Sequence, residues 1–138
     1  MSGGMSAGRP ADRVPTESLE DVLRVLVVTD NDPVREELEY GFPEPVEVKF
    51  ARDSREAWQR LFDEGDQVTA VVVDLQTGAA GGFALASDMK AVRALAEVPV
   101  VILLERDQDR WLARQAGAAA ALLKPVTASQ VLAAIRHA

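Results

Sequence analysis

Three polar residues stand at the ends of apolar runs. Asp30 follows Val25-Leu26-Val27-Val28 with one residue between, Asp74 follows Val71-Val72-Val73, and Lys124 follows Leu122-Leu123 and precedes Pro125. An apolar run of this length reads as a buried strand, and its ends are where polar groups surface. In an open parallel sheet the carboxyl ends of the strands line one crevice, where ligands bind. If the three runs are parallel strands of one sheet, two carboxylates and one ammonium converge there. That set suits a divalent cation beside a carboxylate that accepts a phosphoryl group.

The rest of the chain supplies elements that could bring these residues together. Leu23–Val28 reads as a strand, and Asp32-Pro33 opens a helix carrying Val34, Leu38 and Phe42. Val46, Val48 and Phe50 alternate with Glu47 and Lys49, the pattern of a half-exposed edge strand. Asp53 and Glu56 make a capping box for a helix with Ala57, Trp58, Leu61 and Phe62 on one face, stopped at Gly65. Ala70–Leu75 is a second buried strand. Gly81-Gly82 precede a helix through Phe83, Leu85, Met89 and Val92. Val98–Leu104 is a further buried strand, Asp107–Gly117 a helix, and Ala120–Leu123 the last strand. Thr127 and Gln130 cap a final helix with Val131, Leu132 and Ile135 facing inward. Strict alternation of strand and helix predicts an α/β domain: a five-stranded parallel sheet with helices on both faces. Residues 1–21, with their Gly/Ser-rich start, are expected to be a flexible tail, and 22–138 the domain.

Composition narrows the chemistry. The 138 residues contain no cysteine, which removes disulfides and thiolate chemistry, and a single histidine, His137, next to the last residue. A Ser-His-Asp triad and histidine-rich metal sites are nearly excluded. The formal net charge of −7 argues against direct nucleic-acid binding, which needs a basic surface. No apolar stretch reaches membrane-spanning length and no signal-peptide pattern is present, so the cytoplasm is the expected location and no membrane partner is expected.

From Leu23 to Ala138 the chain resembles the receiver domain of bacterial response regulators. Leu23-Arg24-Val25-Leu26-Val27-Val28-Thr29-Asp30-Asn31 is similar to that family's first strand, Ala70-Val71-Val72-Val73-Asp74-Leu75 to its phosphoacceptor strand, and Ala113–Ala118 through Leu122-Leu123-Lys124-Pro125 to its closing segment. The resemblance implies a single-domain (βα)5 flavodoxin-like receiver in a two-component pathway. It implies that Asp74 accepts the phosphoryl group and that Lys124 pairs with its oxygens across a cis Lys124–Pro125 bond. It implies Mg2+ as cofactor, held by Asp30, Asp74 and the backbone carbonyl of Gln76. A histidine kinase or phosphotransfer protein would be the donor. An output protein of unknown identity would dock around Trp111 and Ala121, and a homodimer is allowed.

Three positions depart from the family pattern. Thr29 replaces the first residue of the acidic pair. Leu104 replaces the Ser/Thr that normally swings in to bond the phosphoryl group, and Glu105 after it adds negative charge near the site. Ala121 replaces the usual aromatic partner of that hydroxyl. A hydrogen bond to a charged group contributes roughly 1.5–3 kcal/mol, so its loss removes a roughly tenfold to hundredfold bias on a two-state equilibrium.

Other readings stand beside this one. The same fold could serve as a phosphorylation-independent interaction module, for which Thr29, Leu104, Glu105 and Ala121 speak. A phosphatase with an aspartyl nucleophile would need a second acid where Gln76 stands, and a flavodoxin-like cofactor binder would need a hydroxyl-rich loop after the first strand. Gly78, Gly81 and Gly82 suggest a flexible loop after Asp74 but match no phosphate-binding pattern. Trp58 reads as core. Trp111 reads either as a partner anchor or as a cover for the sheet. Asp30 and Asp74, as like charges in one crevice, are expected to repel, so that removing one should stabilise the metal-free protein.

Overall fold

The computed structural model describes residues 22–64, 67–74 and 79–138. Five parallel strands, β1 (Arg24–Val28), β2 (Glu47–Ala51), β3 (Ala70–Asp74), β4 (Val100–Leu104) and β5 (Ala120–Leu123), lie in the order 2-1-3-4-5. The helices are α1 (Asp32–Gly41), α2 (Ser54–Glu64), α3 (Ala79–Ala91), α4 (Arg110–Gln115) and α5 (Ala128–Arg136). This is the expected flavodoxin-like architecture. The expected tail, residues 1–21, lies outside the described residues.

The apolar runs are continuous because both faces of the sheet are covered. Alternate strand residues divide between two cores. Leu26, Val28, Val71, Val73, Ile102 and Leu104 pack with Ala57 and Leu61 of α2, Leu85 and Met89 of α3 and Ala113 of α4. Val25, Val27, Val72, Val101 and Leu103 pack with Leu38 of α1 and Val131 and Ile135 of α5. β2 lies at one edge with Val48 and Phe50 half-buried, as its alternation predicts. β5 forms the other edge. Its Ala-Ala-Leu-Leu sequence carries no alternation, yet it is only partly buried.

Local signals start the helices. The Asn31 carboxamide accepts the Val34 N–H at 3.0 Å ahead of Pro33 in the first turn of α1. Asp53 accepts the Glu56 N–H at 2.9 Å, while Glu56 reaches back to the Arg52 N–H at 2.6 Å, one residue before the expected partner. Thr127 and Gln130 form the full reciprocal box, at 3.1 and 2.9 Å.

Four expectations are corrected. Gly81 and Gly82 lie inside α3 rather than in a loop before it. Phe62 is not on the buried face of α2: it is 75% exposed and stacks on a half-buried Trp58 at a centroid distance of 5.6 Å. The helix expected over Asp107–Gly117 is a 3-10 turn, Asp107–Asp109, followed by the six-residue α4. Val98 and Pro99 precede β4 rather than belonging to it.

α1 and α5 meet closely. Glu37 accepts the Ala128 N–H at 3.0 Å, and a Cβ added at Gly41 would lie 2.6 Å from the Ala128 Cβ. Glycine to alanine in a helix usually stabilises by about 0.4–1 kcal/mol. Here the clash reverses the sign, because overpacking costs about 1–3 kcal/mol. Gly41→Ala should therefore lower the urea midpoint with an unchanged slope. A raised midpoint would show that the two helices have room to part.

Candidate functional site

The strand order reverses between β1 and β3. Their following helices, α1 and α3, pack on opposite faces of the sheet and leave a crevice at the carboxyl ends. Asp74 closes β3 in that crevice, with its side chain 0% exposed. Such a buried carboxylate requires partners for its charge and its lone pairs, and both oxygens have one. Lys124 Nζ donates to Oδ1 at 2.7 Å. The Thr29 hydroxyl donates to Oδ2, also at 2.7 Å.

Strand pairing positions both donors. β1 pairs β3 with Val28 opposite Val73, so Thr29 emerges beside Asp74. The Thr29 N–H is held by the Ala51 carbonyl at 2.8 Å, and its hydroxyl accepts the Asn31 N–H at 3.0 Å. Accepting that amide leaves the hydroxyl proton free to point at Asp74. Lys124 follows β5, and its N–H donates to the Leu104 carbonyl at 2.8 Å. The Lys124–Pro125 bond is cis, as the resemblance implied.

Lys124 has a second anionic partner: Nζ lies 2.7 Å from Glu105 Oε1. The Lys124 side chain is 12% exposed and that of Glu105 54%. Burial is the largest single influence on Lys124 and pushes its pKa down. The hydrogen bonds to Asp74 and Glu105 and their negative charges together outweigh it, leaving the pKa raised.

The structure thus brings together Asp74 and Lys124, as expected, and adds Thr29 and Glu105, which entered the sequence reading only as departures. Asp30 is exposed, next along from Thr29. Gln76 lies outside the described residues. Lys124 and Thr29 satisfy the two Asp74 oxygens directly. Trp111 stands on α4 at 54% exposure, and Ala121, half-buried on β5, offers its carbonyl to Arg110 Nη1 at 2.8 Å.

The donors available to a cation are hard oxygens, which suits Mg2+, an ion that needs only one or two carboxylates beside water and phosphate oxygens. They are few. Asp74 is already engaged at both oxygens, Asp30 is exposed, and Thr29 offers a neutral hydroxyl where an acid could stand. Among the described residues no group of three or more His, Asp or Glu side chains could hold a metal ion.

The model of the response regulator receiver domain matches residues 25–136. A gliding motility regulatory protein of Myxococcus xanthus is 31% identical over 129 residues, 91% of this chain, and the chain spans only 16% of that protein's length. The chemotaxis response regulator CheY4 of Vibrio cholerae has a TM-score of 0.73 at 19% identity, over 84% of this chain and 98% of that one. A response regulator from Burkholderia pseudomallei, solved with a phosphorylated aspartic acid, a calcium ion and citrate, has a TM-score of 0.68 at 22% identity, over 82% and 66% of the two chains. At these identities the two structures establish the shared fold.

Proposed function

Since the chain belongs to the response regulator receiver domain family, we propose that it takes a phosphoryl group onto Asp74 in two-component signalling. The observation that carries this reading is the buried Asp74 carboxylate at the end of the central strand, held by Lys124 Nζ at 2.7 Å. A carboxylate oxygen attacks phosphorus. The bond from phosphorus to the donor breaks, and the donor group leaves with the electron pair. Lys124 is placed to follow the charge from the carboxylate onto the phosphoryl oxygens. Positioning and charge neutralisation are most of what phosphoryl transfer requires. Mg2+, when bound, would neutralise further charge on the transferring group, with Asp30 and Asp74 as its carboxylates. The phosphorylated aspartic acid of the Burkholderia pseudomallei regulator supports the assignment by analogy.

On this reading the donor is a histidine kinase or a phosphotransfer protein, and the chain is a phosphoacceptor rather than an enzyme with a separate substrate. Its place is the cytoplasm, where such donors act. Among the described residues no helix is long and apolar enough to cross a membrane. The exposed Trp111 is the natural anchor for an output partner.

A second reading, a phosphorylation-independent interaction module, is favoured by the fully buried Leu104 and by the engagement of both Asp74 oxygens. Intact mass after incubation with acetyl phosphate and Mg2+ separates the two. The wild type should gain one phosphoryl group and Asp74→Asn none. No gain in the wild type would favour the interaction module, and a gain in Asp74→Asn would move the acceptor elsewhere.

A further inference from the structure

We propose that Glu105 is an internal, displaceable ligand of Lys124 that gates the access of phosphoryl groups to the site, an inference that rests on the reading of Lys124 as the cation for the phosphoryl oxygens. The ammonium stands 2.7 Å from Asp74 Oδ1 and 2.7 Å from Glu105 Oε1. Three neighbouring strands supply the three residues: β3 ends at Asp74, β4 ends just before Glu105, and β5 ends just before Lys124. The result is a row of carboxylate, ammonium and carboxylate, fixed at its base by the Lys124 N–H on the Leu104 carbonyl.

The two carboxylates differ in what holds them. Asp74 is buried and also bonded by Thr29, so it cannot leave the row. The Glu105 side chain is 54% exposed and can turn into water at little cost. An incoming phosphoryl group brings negative oxygens that need the same ammonium. It meets Glu105 there twice over, as an occupant of a Lys124 proton and as a like charge. In the transfer, the bond from Asp74 to phosphorus forms and the bond from phosphorus to the donor breaks. Lys124 passes from Glu105 to the phosphoryl oxygens, and Glu105 swings out. The gate slows acceptance and couples it to the release of a carboxylate at the start of the β4–α4 connection.

Inorganic phosphate, titrated in metal-free buffer and followed by NMR shifts at Lys124, tests the gate without any covalent step. Glu105→Gln should tighten phosphate roughly threefold to tenfold, the scale of removing one partly exposed like charge at contact distance. Glu105→Ala should do the same, because the competing charge rather than the shape is removed. The rate of mass gain from acetyl phosphate should rise in step. Unchanged or weakened phosphate affinity in both variants would overturn the proposal, however the transfer behaves. So would tightening in only one of them, because it would mean that shape and not charge is responsible. Tightened affinity without any mass gain would uphold Glu105 as the gate and instead overturn Asp74 as the acceptor.

Discussion

Lys124→Met should destabilise the protein by about 3–5 kcal/mol and abolish phosphoryl acceptance. The magnitude follows from what is left behind. The Asp74 side chain is fully buried, and Lys124 is its charged partner at 2.7 Å. Methionine fills much of the same space but leaves the carboxylate with only the Thr29 hydroxyl, a neutral donor, which places the expected cost toward the lower end of that range. Glu105 loses the same partner, but it is largely in water and contributes little. Urea denaturation of both proteins measures the difference. The pair also has a pH signature. The Lys124 pKa is raised by its carboxylate partners against the opposing effect of burial. Its stabilisation is therefore fully present below the ordinary lysine value of 10.5 and is lost as pH rises through the higher folded value. The gap between wild type and variant should hold from neutral pH to about that point and close only above it. A gap under about 1 kcal/mol at neutral pH would mean that the pair acts like a surface ion pair.

The sequence exposed the scaffold more fully than the site. Buried strands in a sheet covered on both faces must be apolar throughout, so β1, β3 and β4 were legible as runs, and Thr127 with Gln130 marked a helix start by local chemistry alone. The start of α3 was not legible. Glycines disfavour helix by about 1 kcal/mol each, yet Gly82 is buried there and α3 packs through Leu85, Ala86 and Met89. Tertiary packing overrides the local preference. Asp74 and Lys124 could be placed because each directly ends an apolar run. Thr29 could not, because its role depends on the pairing of Val28 with Val73, which sets Thr29 beside Asp74. What looked like a lost acid is a hydroxyl that satisfies the Asp74 carboxylate. Glu105 was visible as a charge near the site. Its bond to Lys124 depends on β4 and β5 being neighbours, with Leu104 opposite Leu123.

Beryllofluoride, a phosphoryl mimic, should change the wild-type protein only near Asp74, Lys124 and Glu105, whereas in Leu104→Thr the change should extend through α4. A ligand shifts a conformational equilibrium only through contacts that differ between the two states. Leu104 is fully buried at the end of β4 and has no hydroxyl to exchange between a resting partner and a phosphoryl oxygen. Ala121 has no ring to follow such a movement, and its carbonyl is tied to Arg110 of α4 at 2.8 Å. With that contact absent, β4 and α4 have nothing to gain by moving. Threonine at 104 would supply a hydrogen bond to a charged group, worth roughly 1.5–3 kcal/mol in the modified state alone. That is a roughly tenfold to hundredfold shift of the equilibrium. An aromatic residue at position 121 in the same background should enlarge the response again, since a ring gives the displaced hydroxyl a partner that must move with it. Amide exchange across 100–121 reads both effects. Extensive changes from Leu104 to Trp111 in the wild type would sink the idea, as would a Leu104→Thr response no larger than the wild type's. Confinement of the wild-type response to Glu105 and Lys124 would leave the exchange of their ion pair as the route by which modification reaches the surface.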